Sequence, residues 1–338
     1  MSTSQQLEQN RPSVSESAGQ AATQGLERYR AAEQALWRYY GVQPSERFVE
    51  ISSPQARLRV LEVGSGEPVL FVHGTGGTGP YWAPLVRELA GFRCLLLDRP
   101  GWGFSSPIDY TKHEYRSVVV DILSGVLGAL GLERAHVVGA SIGDVWALRL
   151  AQAQPASVER VVLLGGGPLL SDVPVPRIVR LIASPAGALM VRLPEKPART
   201  RSILRAIGHG ASLDAGRIPD EYVEWRATLG RETESMRSER NMIRALVRGR
   251  AFRPGLTFGE GELAAIRHPT RLVYGTEDPT GPIELWKRFV GLLPRGELRL
   301  VEGAGHLPWL DDPSSVASAV GRFLRGDERN EQDGGSKL

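Results

Sequence analysis

The chain has 338 residues, 41% hydrophobic and 23% charged, with 41 basic against 38 acidic side chains and a formal charge of +3. This length holds one large domain with an insertion, or two units, and the mixed composition excludes a chain disordered throughout. The single cysteine, Cys94, excludes an intramolecular disulfide framework and a multi-cysteine zinc site; within the apolar run 92–97 it reads as a buried strand residue.

In chain order, residues 1–24 are rich in Ser, Gln and Glu and almost free of large apolar side chains, which reads as a disordered tail. They have no basic start followed by an apolar core, so no secretory signal is read and a cytoplasmic location is expected. Tyr29, Ala32, Leu36 and Tyr39 then mark one face of a helix that Gly41 stops. Residues 47–51 and 58–63 read as antiparallel strands.

From Pro68 the pattern changes to continuous apolar strands alternating with amphipathic helices. Strands are expected at 68–73, 92–98, 135–138 and 158–164, and helices at 81–89, 115–130 and 142–153. Such alternation implies right-handed crossovers and an α/β fold with a doubly wound, mostly parallel sheet. It stops at Gly165-Gly166-Gly167-Pro168 and resumes with strand 270–275, helix 283–293, strand 298–301 and helix 314–324. The intervening hundred or so residues read as an inserted helical cap. The expected division is a core of 25–168 and 256–325, a cap of 169–255, and a second tail at 326–338. No run approaches the roughly 18 apolar residues of a membrane-spanning helix.

Gly139-Ala140-Ser141-Ile142-Gly143 falls where a strand gives way to a helix. That context makes a G-x-S-x-G match a nucleophile elbow, in which Gly139 and Gly143 let the backbones pass and Ser141 projects its hydroxyl at the helix N-terminus. A serine hydroxyl needs a base held in one tautomer by a third group. His306, in the small-residue loop after strand 298–301, and Asp278, after strand 270–275, supply candidates in the order Ser, Asp, His. Glu277 stands beside Asp278, so either carboxylate is open as the partner. His113, His136, His209 and His268 lack such a loop and read as surface or satisfied core residues. His73-Gly74-Thr75-Gly76-Gly77 offers a glycine-rich turn after a strand; Pro80 stands where a phosphate loop needs lysine.

These residues, together with Asp98-Arg99-Pro100-Gly101-Trp102-Gly103-Phe104-Ser105, Gly275 to Asp278 and Gly305-His306, resemble the α/β-hydrolase superfamily in its cap-bearing serine branch, over about residues 47–324. The resemblance implies backbone N–H donors of Thr75 and Ile142 for an oxyanion, structural roles for His73 and Gly74, and no cofactor or metal. It also favours Asp278 over Glu277. Serine at 141 sets the chain apart from relatives that use an elbow aspartate to form an alkyl ester. Asp144 departs from the usual small residue there; it reads as a favourable charge in a helix's first turn, or as a negative group crowding the elbow.

Between residues 171 and 253 there are fifteen arginines and one lysine against nine acids, an excess of seven positive charges. Arg237, Arg240, Arg244 and Arg248 follow helical spacing and read as a solvated face, with an anionic substrate or weak contact with an anionic membrane surface as functional alternatives. No nucleic-acid module accompanies them. The leading expectation is a cofactor-independent serine hydrolase of a fairly hydrophobic carboxylic ester. The alternatives are a carbon–carbon bond hydrolase of keto-acids with the same triad, and a ligand sensor without turnover.

Overall fold

The computed structural model describes residues 14–327 except 168, 171–174, 176, 192 and 254. Residues 1–13 and 328–338 of the expected tails, and Pro168 at the expected core–cap boundary, lie outside the described residues. Eight strands form one sheet in the order β1-β2-β4-β3-β5-β6-β9-β10. β1 (Ser45–Ser52) and β2 (Gln55–Val63) pair antiparallel, and β2 joins β4 (Phe92–Leu97) antiparallel. From there β3 (Glu67–Val72), β5 (Ala135–Ala140), β6 (Val158–Leu164), β9 (Thr270–Gly275) and β10 (Gly296–Val301) run parallel. A separate short hairpin, β7 (Val247–Arg248) with β8 (Ala251–Phe252), lies between β6 and β9 in sequence.

β5 is buried along its whole length because helices cover both faces of the sheet. One apolar layer includes Val137, Ile122 and Trp146, and the other includes Phe71, Trp82 and Trp309. The order reverses at β3 and β5, so the loops after these strands open a crevice at the carboxyl edge of the sheet, where open α/β sheets hold their ligands.

Three expectations are corrected by the structure. The N-terminal helix runs Val14–Tyr40, so residues 14–24 are helical rather than tail. Ala18, Ala21 and Ala22 favour helix, and the segment extends from a docked one in which Arg28 donates to Glu232 at 2.7 Å. The helix expected at 81–89 is a 3₁₀ turn, Gly79–Trp82, followed by Ala83–Val86, with Pro80 and Pro84 each opening its own short piece.

The N-terminal helix also reaches the core. Glu33 meets the buried Arg59 of β2, with Nη1 to Oε2 at 2.8 Å, and Arg59 donates in turn to Asp98 at 3.3 Å. Asp98 accepts the Gly79 N–H at 2.7 Å, and Tyr29 bonds Thr78 at 2.8 Å. Burial pushes the Asp98 carboxyl up to about 6, against the pull of Arg59. Thus one helix braces both the loop after β4 and the turn after β3.

Between β6 and β7 lie helices Arg177–Ala183, Pro185–Met190, Pro197–Leu204, Gly210–Asp214, Asp220–Glu232 and Ser235–Leu246. Arg237, Arg240 and Arg244 belong to the last of these. Arg248 does not: the helix ends at Leu246 and Arg248 lies in β7, so the expected four-arginine face is one residue too long.

Candidate active site

Ser141 sits between β5 and the helix Ile142–Ala153 with φ 54° and ψ −117°. Among the described residues it alone has a positive φ without being glycine. Such a strained residue persists only when its surroundings hold it, and here they do. A Cβ on Gly143 would strike the carbonyl of Val72, and one on Gly139 would strike Gly143, so both positions admit only glycine at this spacing. The Ile142 N–H, first in its helix, has no intrahelical acceptor and stands in the positive field of the helix start.

His306 and Asp278 meet on loops after β10 and β9, with His306 Nδ1 at 2.7 Å from Asp278 Oδ2. The other Asp278 oxygen accepts the Thr280 N–H at 2.8 Å, which fixes the carboxylate plane. Asp278 is buried and Glu277 exposed, so the neighbouring acid does not face the imidazole. The Gly165–Gly167 loop after β6 joins this pair to the serine. A Cβ on Gly165 would run into the His306 carbonyl, and one on Gly167 into that of Ser141. The two loops therefore rest on the same three small residues.

The turn after β3 faces the elbow: a Cβ on Gly74 would lie 3.0 Å from that of Ser141. His73 is wholly buried beneath it. Its Nδ1 lies 2.8 Å from the Gly74 carbonyl and its Nε2 accepts the Arg99 N–H at 3.1 Å. Burial, and next the Arg99 guanidinium, hold His73 well below the ordinary histidine range, so it is neutral near pH 7. Arg99 ties this turn to the loop after β4 by donating to the Gly74 carbonyl at 3.1 Å. Thr75 is exposed at the tip, and its hydroxyl donates to Glu239 of the insertion at 3.1 Å.

Sequence reasoning did not single out Arg226, Glu239 or His209. Arg226 lies over the turn, its Nη2 2.9 Å from where a Cβ of Gly76 would be. Its Nη1 is buried with no partner in hydrogen-bond geometry, beside the Tyr222 hydroxyl. Glu239 is buried, one of its oxygens likewise lacks a partner, and burial raises its carboxyl above the usual range. These side chains project from separate insertion helices, and only the packing of the insertion on the β3 turn brings them together. His209, between Gly208 and Gly210, had a faint signal in its glycine flanks; the structure buries it completely.

Asp144 lies in the first turn of the elbow helix, as its position suggested. It is wholly buried, and Oδ1 accepts the Leu164 N–H at 3.2 Å. Burial lifts its carboxyl well above the usual range.

A family model described as alpha/beta hydrolase family matches residues 69–319, about three quarters of the chain. The chain belongs to the alpha/beta hydrolase family. It is 30% identical over 272 residues to a 2-hydroxy-6-oxononadienedioate/2-hydroxy-6-oxononatrienedioate hydrolase of Pseudomonas putida, covering 78% of this chain and 90% of that one. Its fold is similar to that of the Rhodococcus 2-hydroxy-6-oxo-6-phenylhexa-2,4-dienoate hydrolase, with TM-score 0.68, 20% identity and coverage of 84% and 99%. It is similar too to naproxen esterase from Bacillus subtilis, with TM-score 0.69, 18% identity and coverage of 88% and 97%. This α/β hydrolase is thus a hydrolase by family, and no helix among its described residues is long and apolar enough to cross a membrane.

Proposed function

We propose that this α/β hydrolase cleaves a carbon–carbon bond in a keto-dienoate that carries a free carboxylate. The observation that carries this reading is Arg226, whose partly buried guanidinium lies over the turn facing Ser141 with Nη1 unpaired. A buried guanidinium nitrogen left without an acceptor favours an anionic ligand, which a simple neutral ester does not supply. The relative from Pseudomonas putida is named for a substrate with two carboxylates.

In the reading proposed here, the Ser141 hydroxyl attacks the ketone carbonyl as His306 takes its proton, with Asp278 holding the imidazole. The N–H groups of Thr75 and Ile142 receive the oxyanion, a contribution of about 2.7–4 kcal/mol for a single donor in comparable sites. The substrate reacts as its C2 ketone, with the enol proton moved to C5, so that collapse breaks the bond between C5 and the attacked C6 and the electron pair passes through the C3–C4 double bond onto the C2 carbonyl. That dienolate fragment takes the proton from His306. Water, deprotonated by His306, then releases the acyl group from Ser141 as a carboxylic acid. The insertion acts as a cap that places Arg226 and Glu239 above the reacting carbonyl and keeps bulk water out.

Ester hydrolysis, the leading expectation from sequence, uses the same nucleophile, base and donors and remains the second reading. Comparing kcat/KM for a 2-hydroxy-6-oxo-dienoate with that for its carboxylate methyl ester and for p-nitrophenyl butyrate separates the two. The proposed reading requires the free acid to be preferred by at least about tenfold, the value of one modest charge-assisted hydrogen bond. Preference for the p-nitrophenyl ester returns the ester reading to first place. Binding without turnover points to a sensor.

A further inference from the structure

The loop that bears His306 hangs on the insertion. Between the helices Pro197–Leu204 and Gly210–Asp214 the chain kinks at Ile207 and Gly208, the latter with φ 96°. The kink presents two acceptors to the loop after β10. The Ile207 carbonyl accepts the His306 N–H at 2.9 Å, and His209 Nε2 accepts the Leu307 N–H at 3.1 Å. A backbone N–H can only donate, so Nε2 carries the lone pair and Nδ1 the proton. That proton points to Asp311 Oδ2, 2.8 Å away. The same Asp311 oxygen accepts the Gly305 N–H at 2.9 Å, and its other oxygen receives the Ser212 hydroxyl. Three consecutive N–H groups, at Gly305, His306 and Leu307, are thereby held from one small cluster.

The approach is as close as backbone permits. A Cβ on Gly305 would meet the Ile207 carbonyl at 2.6 Å, and one on Gly208 would strike the Glu277 carbonyl and lie 2.8 Å from Gly305 Cα. The kink therefore wedges between the loop carrying Asp278 and the loop carrying His306. His209 is wholly buried at this wedge, far in sequence from all three residues it serves.

We infer that His209 is a positioning residue for His306, setting the imidazole against Ser141 through the Leu307 N–H and Asp311, so that the base is in register only while the insertion is seated. This rests on the reading of His306 as general base. The pair His209–Asp311 repeats behind the base the logic of Asp278–His306: a carboxylate fixes one imidazole nitrogen so that the other points where it is needed. Reaction rates are sensitive to such placement, since an error of about 1 Å in a reacting group costs on the order of 100-fold.

The test uses the full chain and a fluorophosphonate probe, which requires an activated serine but no particular substrate. Three variants separate the bonds. In His209→Gln the amide oxygen takes the place of Nε2 as acceptor of the Leu307 N–H. His209→Asn reaches only Asp311, and His209→Leu neither. The expected result is a maximal labelling rate within about threefold of wild type for His209→Gln, and about 100-fold lower for both His209→Asn and His209→Leu, with the probe's half-saturating concentration changed by less than about twofold. Thermal midpoints recorded alongside establish that each variant is folded. Wild-type labelling by His209→Asn or His209→Leu overturns the inference, as does loss in His209→Gln equal to that in His209→Leu. Absence of labelling in the wild type overturns the serine hydrolase reading itself, and is seen before any variant is made.

Discussion

Asp278 Oδ2 lies 2.7 Å from His306 Nδ1, while the adjacent Glu277 side chain is exposed. One carboxylate of two neighbours therefore holds the imidazole in the tautomer whose Nε2 is free to act as base. Asp278→Asn presents an amide that permits the opposite tautomer. In comparable triads this lowers kcat by about 10⁴-fold. Steady-state rates are expected to show that loss for Asp278→Asn and a change below twofold for Glu277→Gln. Equal losses in both variants contradict the assignment.

Arg226 gives the proposed preference for an acid its sharpest consequence. Arg226→Met keeps much of the side chain's bulk and removes the unpaired Nη1. A charge-assisted hydrogen bond contributes about 1.5–3 kcal/mol, so kcat/KM for a keto-dienoate carboxylate falls by roughly 10- to 150-fold. For the corresponding methyl ester it changes little. A uniform loss on both substrates places Arg226 in the packing of the β3 turn rather than against a carboxylate.

Asp144 links the elbow helix to the end of β6 through the Leu164 N–H, and burial raises its carboxyl well above the usual range. The sign of the pH effect follows. A carboxyl with a raised folded-state pKa favours the native state fully below its unfolded value, near 4, and loses that contribution as pH rises through the folded value. Asp144→Asn keeps the oxygen that accepts from Leu164 and cannot ionise. Its thermal midpoint, measured against wild type from pH 4 to 8, is expected to gain on the wild type as pH rises. A constant difference across that range contradicts the raised carboxyl.

Glu33 is the point where the N-terminal helix enters the core. Glu33→Ala leaves Arg59 buried with one fewer counter-charge, and breaking a buried pair in this way costs about 3–5 kcal/mol. Denaturant unfolding is expected to show a loss of that order. A cost below about 1 kcal/mol shows that Asp98 and Glu46, whose Oε1 accepts from Arg59 Nε at 2.5 Å, compensate Arg59 without the helix.

The sheet was legible because parallel strands buried on both faces must be continuous apolar runs. The strand Val158–Leu164 and the helix Ile142–Ala153 were placed at their observed ends. The serine, the histidine and both carboxylate candidates followed from loops placed after strands. What was not legible depends on packing. The helical start at Val14 lies in a polar, alanine-containing stretch with no core-facing stripe to announce it. Pro80 and Pro84 replace an expected helix by two short pieces. Arg226, Glu239 and His209 are ordinary members of a basic helical insertion in sequence; their burial against the β3 turn and the His306 loop exists only in three dimensions.

The most direct test of the central claim is the decay of the dienolate absorbance of 2-hydroxy-6-oxononadienedioate, the substrate class named for the Pseudomonas putida relative, with wild type and Ser141→Ala in parallel. The account predicts multiple turnovers by the wild type, release of a carboxylic acid in amounts equal to the substrate consumed, and loss of turnover in the variant. Stable absorbance with the wild type, or equal decay with Ser141→Ala, contradicts it.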